Sequence, residues 1–186
     1  MNNHSSNKLT AHDLTKIALA AALLTICSWI AIPIGDVPIT LQTFAVFVTA
    51  GLMGTKSGLM ALTVYLLMGM VGLPVFSGMT GGPGRLIGPT GGYLLGFFFT
   101  IPIIGEISRR LGRKPIPLAF SMILGTLACY AFGTVWFAAV YMGSLSVAGI
   151  GTALVKCVIP YVIPDVVKIG LAVWMVRRVS SVYIST

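Results

Sequence analysis

The chemistry in this chain is concentrated in a few polar residues set within long apolar runs. The clearest group is Pro160-Tyr161-Val162-Ile163-Pro164-Asp165-Val166-Val167-Lys168. An acid and a base three positions apart share one face of a helix. In a membrane each charge would cost about 2.5–3.5 kcal/mol on insertion scales, and pairing offsets part of that. Such a pair either staples its own helix or serves a ligand. The flanking prolines favour the ligand, because they free backbone carbonyls that need a cavity or neighbouring helices to satisfy them. Charge in a broken apolar helix is the usual form of a binding site.

Two further clusters could take part. Segment 74–92 holds seven glycines between Gly78 and Gly92, together with Arg85. A glycine-rich loop ahead of a helix exposes backbone N–H groups that favour anions, although it also serves as a plain connector. Pro38-Ile39-Thr40-Leu41-Gln42-Thr43 contributes an amide with two donors and an acceptor, either as a ligand contact or as an interfacial group in water. Tyr93, Tyr130, Trp136 and Tyr141 are either membrane-interface residues or pocket walls, with Tyr141 assigned to the interface.

Signatures of catalysis are missing. Gly51-Leu52-Met53-Gly54-Thr55-Lys56-Ser57 lacks the glycine before the lysine, and the preceding strand, that a phosphate-binding loop needs. No H-E-x-x-H, G-x-S-x-G or paired acidic metal motif occurs, and both histidines, His4 and His12, precede the first apolar run. We expect no catalysis, no resident cofactor or metal and no energy source within the chain.

Composition dictates the elements that must position these residues. Of 186 residues, 56% are hydrophobic and 9% charged, against about 25% charged in a soluble domain. That excludes a cytosolic enzyme, a secreted domain, a disordered tail and an ordinary nucleic-acid binder. It predicts an all-α integral membrane protein. Apolar runs at 14–34, 40–54, 57–75, 91–107, 118–142 and 157–176 give six transmembrane helices at roughly 20 residues each. The chain then divides into an N-terminal tail (1–13), a six-helix membrane domain (14–178) and a C-terminal tail (179–186). The first run is too long for a signal-peptide core and is expected to be retained, with Asp13 as its helix cap. Residues 143–151, rich in Gly and Ser, form a loop, a re-entrant piece or the bent start of the last helix.

The net charge of +8 reflects orientation rather than nucleic-acid binding. Lys8, Lys16, Lys56, Arg109, Arg110, Arg113, Lys114, Arg177 and Arg178 all fall on one side of this topology, which puts both termini in the cytoplasm. Arg85 is the one cation in the loops of the other side, and that isolation strengthens its case as a ligand contact. Cys27, Cys129 and Cys157 sit in apolar runs without C-x-x-C spacing and are expected to be small buried hydrophobes.

Four stretches, taken together, resemble the BioY family: Val37-Pro-Ile-Thr-Leu-Gln-Thr43, Gly72-Leu-Pro-Val-Phe76, Gly88-Pro-Thr-Gly-Gly-Tyr-Leu-Leu-Gly-Phe97 and Pro160 to Lys168. The similarity runs in order over nearly the whole chain, from about residue 14 to 178. BioY proteins are the biotin-binding S components of energy-coupling factor (ECF) transporters. The resemblance implies a multi-pass protein of the bacterial cell membrane that captures biotin near its outer face. It also implies docking on a transmembrane T protein driven by two cytoplasmic ATPases, which suits a chain without a nucleotide site. Asp165 and Lys168 then contact the ligand. Asp165 would accept from a ureido N–H, Lys168 would donate to the ureido oxygen or the carboxylate, and Arg85 would suit the carboxylate. Gln42, Thr43 and Tyr93 are candidate further polar contacts, and Phe76, Trp136 and Tyr161 candidate walls. Ala18 and Ala22, small residues on the first helix, match the family's surface for the T protein, or else serve ordinary helix packing. Three other functions compete: a stand-alone vitamin transporter driven by an ion gradient, an S component for a different vitamin, and an intramembrane enzyme acting on a lipid. Asp165 and Glu106 are thin provision for ion coupling, and no nucleophile or metal motif supports the enzyme.

Overall fold

The computed structural model describes residues 9–34, 36–143 and 145–184, the last three by backbone alone. Lys8 and most of the expected N-terminal tail lie outside the described residues. Helix α1 (Ala11–Trp29) is capped by Thr10, not by Asp13. The Thr10 hydroxyl accepts from the Asp13 N–H at 3.2 Å, and the Asp13 carboxylate accepts from the Thr10 N–H at 3.1 Å. This reciprocal box satisfies N–H groups that a first helical turn leaves unpaired. At the other end Ser28 and Trp29 donate to the carbonyls of Val75 and Pro74, tying α1 to the segment that follows α2. Two short strands, β1 (Ala31–Ile32) and β2 (Ile39–Thr40), pair antiparallel with Ala31 opposite Thr40.

Helix α2 (Gln42–Met70) covers the two expected spans 40–54 and 57–75. Its backbone breaks at Gly54, where φ is 73°, a left-handed conformation that glycine adopts without steric cost. Gln42 Nε2 lies 3.0 Å from Tyr65 Oη although 23 positions separate them. A straight helix would hold them about 35 Å apart at 1.5 Å per residue. The arms 42–53 and 55–70 therefore run side by side. Arg113 closes the turn by donating to the carbonyls of Gly51 at 2.9 Å and Leu52 at 2.7 Å, which a helix end leaves without intrahelical partners.

The remaining elements are α3 (Pro83–Ile87), α4 (Gly91–Leu111), α5 (Pro115–Trp136) continued by a π-helical turn (Phe137–Tyr141), α6 (Val147–Cys157) and α7 (Ile159–Ile184). Within 143–151 the chain starts a separate helix, α6, rather than the bent beginning of α7. The stretch from 179 that was expected to be a tail continues α7 as far as Ile184. Helices α4 and α5 pack closely because Gly92 offers no side chain: a Cβ there would lie 2.3 Å from Trp136 Cβ.

Among the described residues five helices are long and apolar enough to cross a membrane: α1, α2, α4, α5 with its π turn, and α7. The interior holds Phe47, Tyr65, Ile101, Leu118 and Met122, while Leu19, Ile116, Leu127 and Trp174 are exposed. Helices that are apolar on both faces suit a lipid surround. Ala20 and Ala21 are buried, whereas Ala18 and Ala22 are exposed on the outer side of α1. The ends of the bundle differ. Lys56, Arg109, Arg110, Arg113, Lys114, Arg177 and Arg178 fall at the Gly54 turn, between α4 and α5, and towards the end of α7. The starts of α2, α4 and α7 meet at the opposite end, where α3 also lies.

Candidate functional site

At that opposite end a cavity is lined from six helices, the strand β2 and the segments between them. Helix α7 supplies Tyr161, Asp165 and Lys168, and Pro164 within the helix precedes the acid. The start of α2 supplies Gln42 and Thr43, the short α3 supplies Arg85, and the start of α4 supplies Tyr93. Phe76 comes from the segment after α2, held edge-on against Tyr65 with ring centres 5.5 Å apart. The structure thus brings Asp165, Lys168, Arg85, Gln42, Thr43, Tyr93, Phe76 and Tyr161 to one cavity, but not Trp136.

Asp165 and Lys168 are 4% and 5% exposed, so neither charge is neutralised by bulk water. Lys168 Nζ lies 2.7 Å from Asp165 Oδ1, as their spacing on the helix predicts. Thr43 spans the two: its hydroxyl is 3.4 Å from Asp165 Oδ1 and 3.3 Å from Lys168 Nζ. Tyr130 of α5 donates to Asp165 Oδ2 at 2.5 Å. A buried charge is tolerated when its partners satisfy its remaining hydrogen-bonding capacity, and three helices contribute to that here. Arg85 differs, because its guanidinium has no carboxylate partner among the described residues. The arrangement offers a carboxylate acceptor, an ammonium donor and an unpaired guanidinium within mostly apolar walls. It can hold a neutral polar group with both donors and acceptors, and an anion.

The loop before α2 forms another part of the wall. Val37 and Pro38 line the cavity, and Tyr161 donates to the Val37 carbonyl. Lys156 of α6 lies 3.7 Å from Asp36, and Tyr141 donates to Asp36 at 3.4 Å. Tyr141 is half exposed.

Several expectations need correction. Trp136 does not line the cavity; its indole donates to the Gly88 carbonyl at 3.2 Å and its ring lies near Phe132. The three cysteines are buried and free, as expected, and Cys129 and Cys157 also border the cavity. Tyr130, an interface residue or a pocket wall on sequence alone, bonds directly to the central acid. Its signal was weak: span 118–142 carries no charge, so nothing in its pattern marks the polar face. Thr90, within the Gly88-Pro89-Thr90 motif, also lines the cavity.

The model of the BioY family matches residues 1–185. A probable biotin transporter of Pyrococcus horikoshii is 34% identical over 91% of this chain and 97% of its own length. A biotin transporter of Thermotoga maritima is 37% identical over 89% of this chain and 94% of its own. Among solved structures, the S-component for biotin from an ECF-type ABC transporter superposes with a TM-score of 0.80 at 28% identity, covering 97% of this chain and 95% of that one. With that agreement across nearly its full length, the chain belongs to the BioY family.

Proposed function

We propose that this protein captures biotin as the substrate-binding S component of an ECF transporter. The observation that carries the reading is the buried Asp165–Lys168 pair in the wall of a cavity that also holds the unpaired Arg85. Biotin presents a cyclic urea with one carbonyl acceptor and two N–H donors, an apolar sulfur ring and a carboxylate. Asp165 accepts from a ureido N–H. Lys168 donates to the ureido oxygen or the carboxylate, and Arg85 forks onto the carboxylate. Gln42, Thr43 and Tyr93 add polar contacts, while Phe76 and Tyr161 flank the rings. The names of the relatives in Pyrococcus horikoshii and Thermotoga maritima support the same ligand.

In this reading the two arms of α2 cross the membrane separately, giving six passes through a bacterial cell membrane. The cationic end faces the cytoplasm with both termini, and the cavity faces outward. A transmembrane T protein and two ATPases supply the energy, and the exposed Ala18 and Ala22 support docking along α1. A ligand that binds only the folded state raises its melting temperature. Thermal unfolding of the detergent-purified chain should therefore shift upward with biotin and not with riboflavin or thiamine. A shift with another vitamin alone would overturn the ligand. Ion-gradient-driven uptake by the chain alone in liposomes would overturn the subunit role.

A further inference from the structure

The hydrogen-bond inventory of Asp165 gives Tyr130 a role that the apolar character of α5 conceals. A carboxylate accepts about four hydrogen bonds, two on each oxygen. Oδ1 already takes Lys168 Nζ at 2.7 Å and Thr43 Oγ1 at 3.4 Å. Oδ2 takes Tyr130 Oη at 2.5 Å and has capacity for one more donor. The oxygen with room for a ligand is thus the one that Tyr130 holds, and both residues line the cavity. Without the phenol, Asp165 would be held from the Oδ1 side alone. The terminal torsion of an aspartate lies in a broad, shallow well. The carboxylate would then turn to set both oxygens against Lys168, using the acid up within its own ion pair.

We propose that Tyr130 is a specificity-determining positioning residue, whose phenol keeps Asp165 Oδ2 apart from Lys168 and presents it to an N–H of a bound cyclic urea. The proposal deepens the biotin reading and rests on it. A merely space-filling Tyr130 would be replaced by phenylalanine without loss, so Tyr130→Phe separates the two roles.

The test uses the full chain in detergent and two readouts. In the first, biotin titration, loss of one hydrogen bond to a charged group should weaken binding by roughly tenfold to hundredfold in Tyr130→Phe. The second readout needs no ligand. The chain has three aspartates, Asp13, Asp36 and Asp165, so isotope-labelled aspartate gives few carboxylate infrared bands. The Asp165 band is the one that Asp165→Asn removes, and it should move in Tyr130→Phe. Biotin affinity within twofold of the parent, or an unmoved band, would overturn the proposal. If Tyr130→Phe does not fold, 3-fluorotyrosine in the otherwise unaltered chain replaces it: the more acidic phenol must shift the same band, and an unmoved band overturns the idea. Failure of the parent itself to bind biotin would sink both this and the functional reading, and it is seen before any substitution is made.

Discussion

Asp165 and Lys168 neutralise each other out of reach of water, and each is costly to leave alone. Removing one partner of a buried ion pair typically costs about 3–5 kcal/mol, because the other charge stays behind. Asp165→Asn should therefore lower the melting temperature of the ligand-free protein and weaken biotin binding by about a hundredfold or more, read by calorimetric titration. Replacing both residues by methionine should restore much of the stability while leaving binding abolished, which separates the structural from the ligand role. Arg85 has no such structural duty. Arg85→Ala should leave the melting temperature nearly unchanged and weaken biotin by roughly tenfold to hundredfold. It should not weaken the methyl ester of biotin, whose carboxylate charge is gone; equal losses for both ligands would remove Arg85 from the carboxylate. The acid, the base and Arg85 were legible in the sequence because charge is scarce in this chain. Tyr130 was not, since a tyrosine in an uncharged run looks the same whether it faces lipid, core or ligand.

The break at Gly54 and the fit of α4 against it carry the next test. At Gly54 a Cβ would meet open space, but φ is 73° and ψ −172°, so Gly54→Ala should cost about 1–3 kcal/mol from backbone conformation alone. At Gly105 of α4 a Cβ would lie 2.5 Å from the backbone nitrogen of Thr55. Gly105→Ala must then push α4 away from the turn and should lower stability in thermal unfolding by about 1–3 kcal/mol for the overpacking. No loss of stability in Gly105→Ala would mean that the turn is not braced by α4. Five apolar runs were legible as helices to within a few residues. The reversal between 40–54 and 57–75 was also visible, as glycine and Lys56 interrupting a long apolar stretch. Helix α6 was hidden because Gly and Ser dominate 143–151 and because its last residues run into the apolar pattern of α7. The break falls at Val158, two residues before Pro160. Pro160 falls in the first turn of α7, where a missing N–H costs no intrahelical bond, and that is the local signal of a helix start.

Over the whole molecule, charge is sorted by end: the cavity lies away from the arginines and lysines that follow the Gly54 turn and α4. Lys56→Cys and Lys114→Cys, each in a chain freed of Cys27, Cys129 and Cys157, should react with a membrane-impermeant maleimide only in inverted vesicles. Met79→Cys should react in intact cells. The reverse pattern would turn the topology over and put the cavity on the inner side. The fold's polarity was legible because positive charge marks one face of a membrane protein. The cavity was not, since it forms only where residues from α2, α3, α4, α5 and α7 converge across long sequence separations.

The central claim is that Asp165 and Lys168 grip the ureido group of biotin, and a structure of the protein with biotin bound measures it directly. The account predicts a ureido nitrogen within hydrogen-bonding distance of Asp165, about 3 Å, with Lys168 donating to the same ligand. Biotin bound elsewhere, with the pair still closed on itself and facing only protein or lipid, would contradict it.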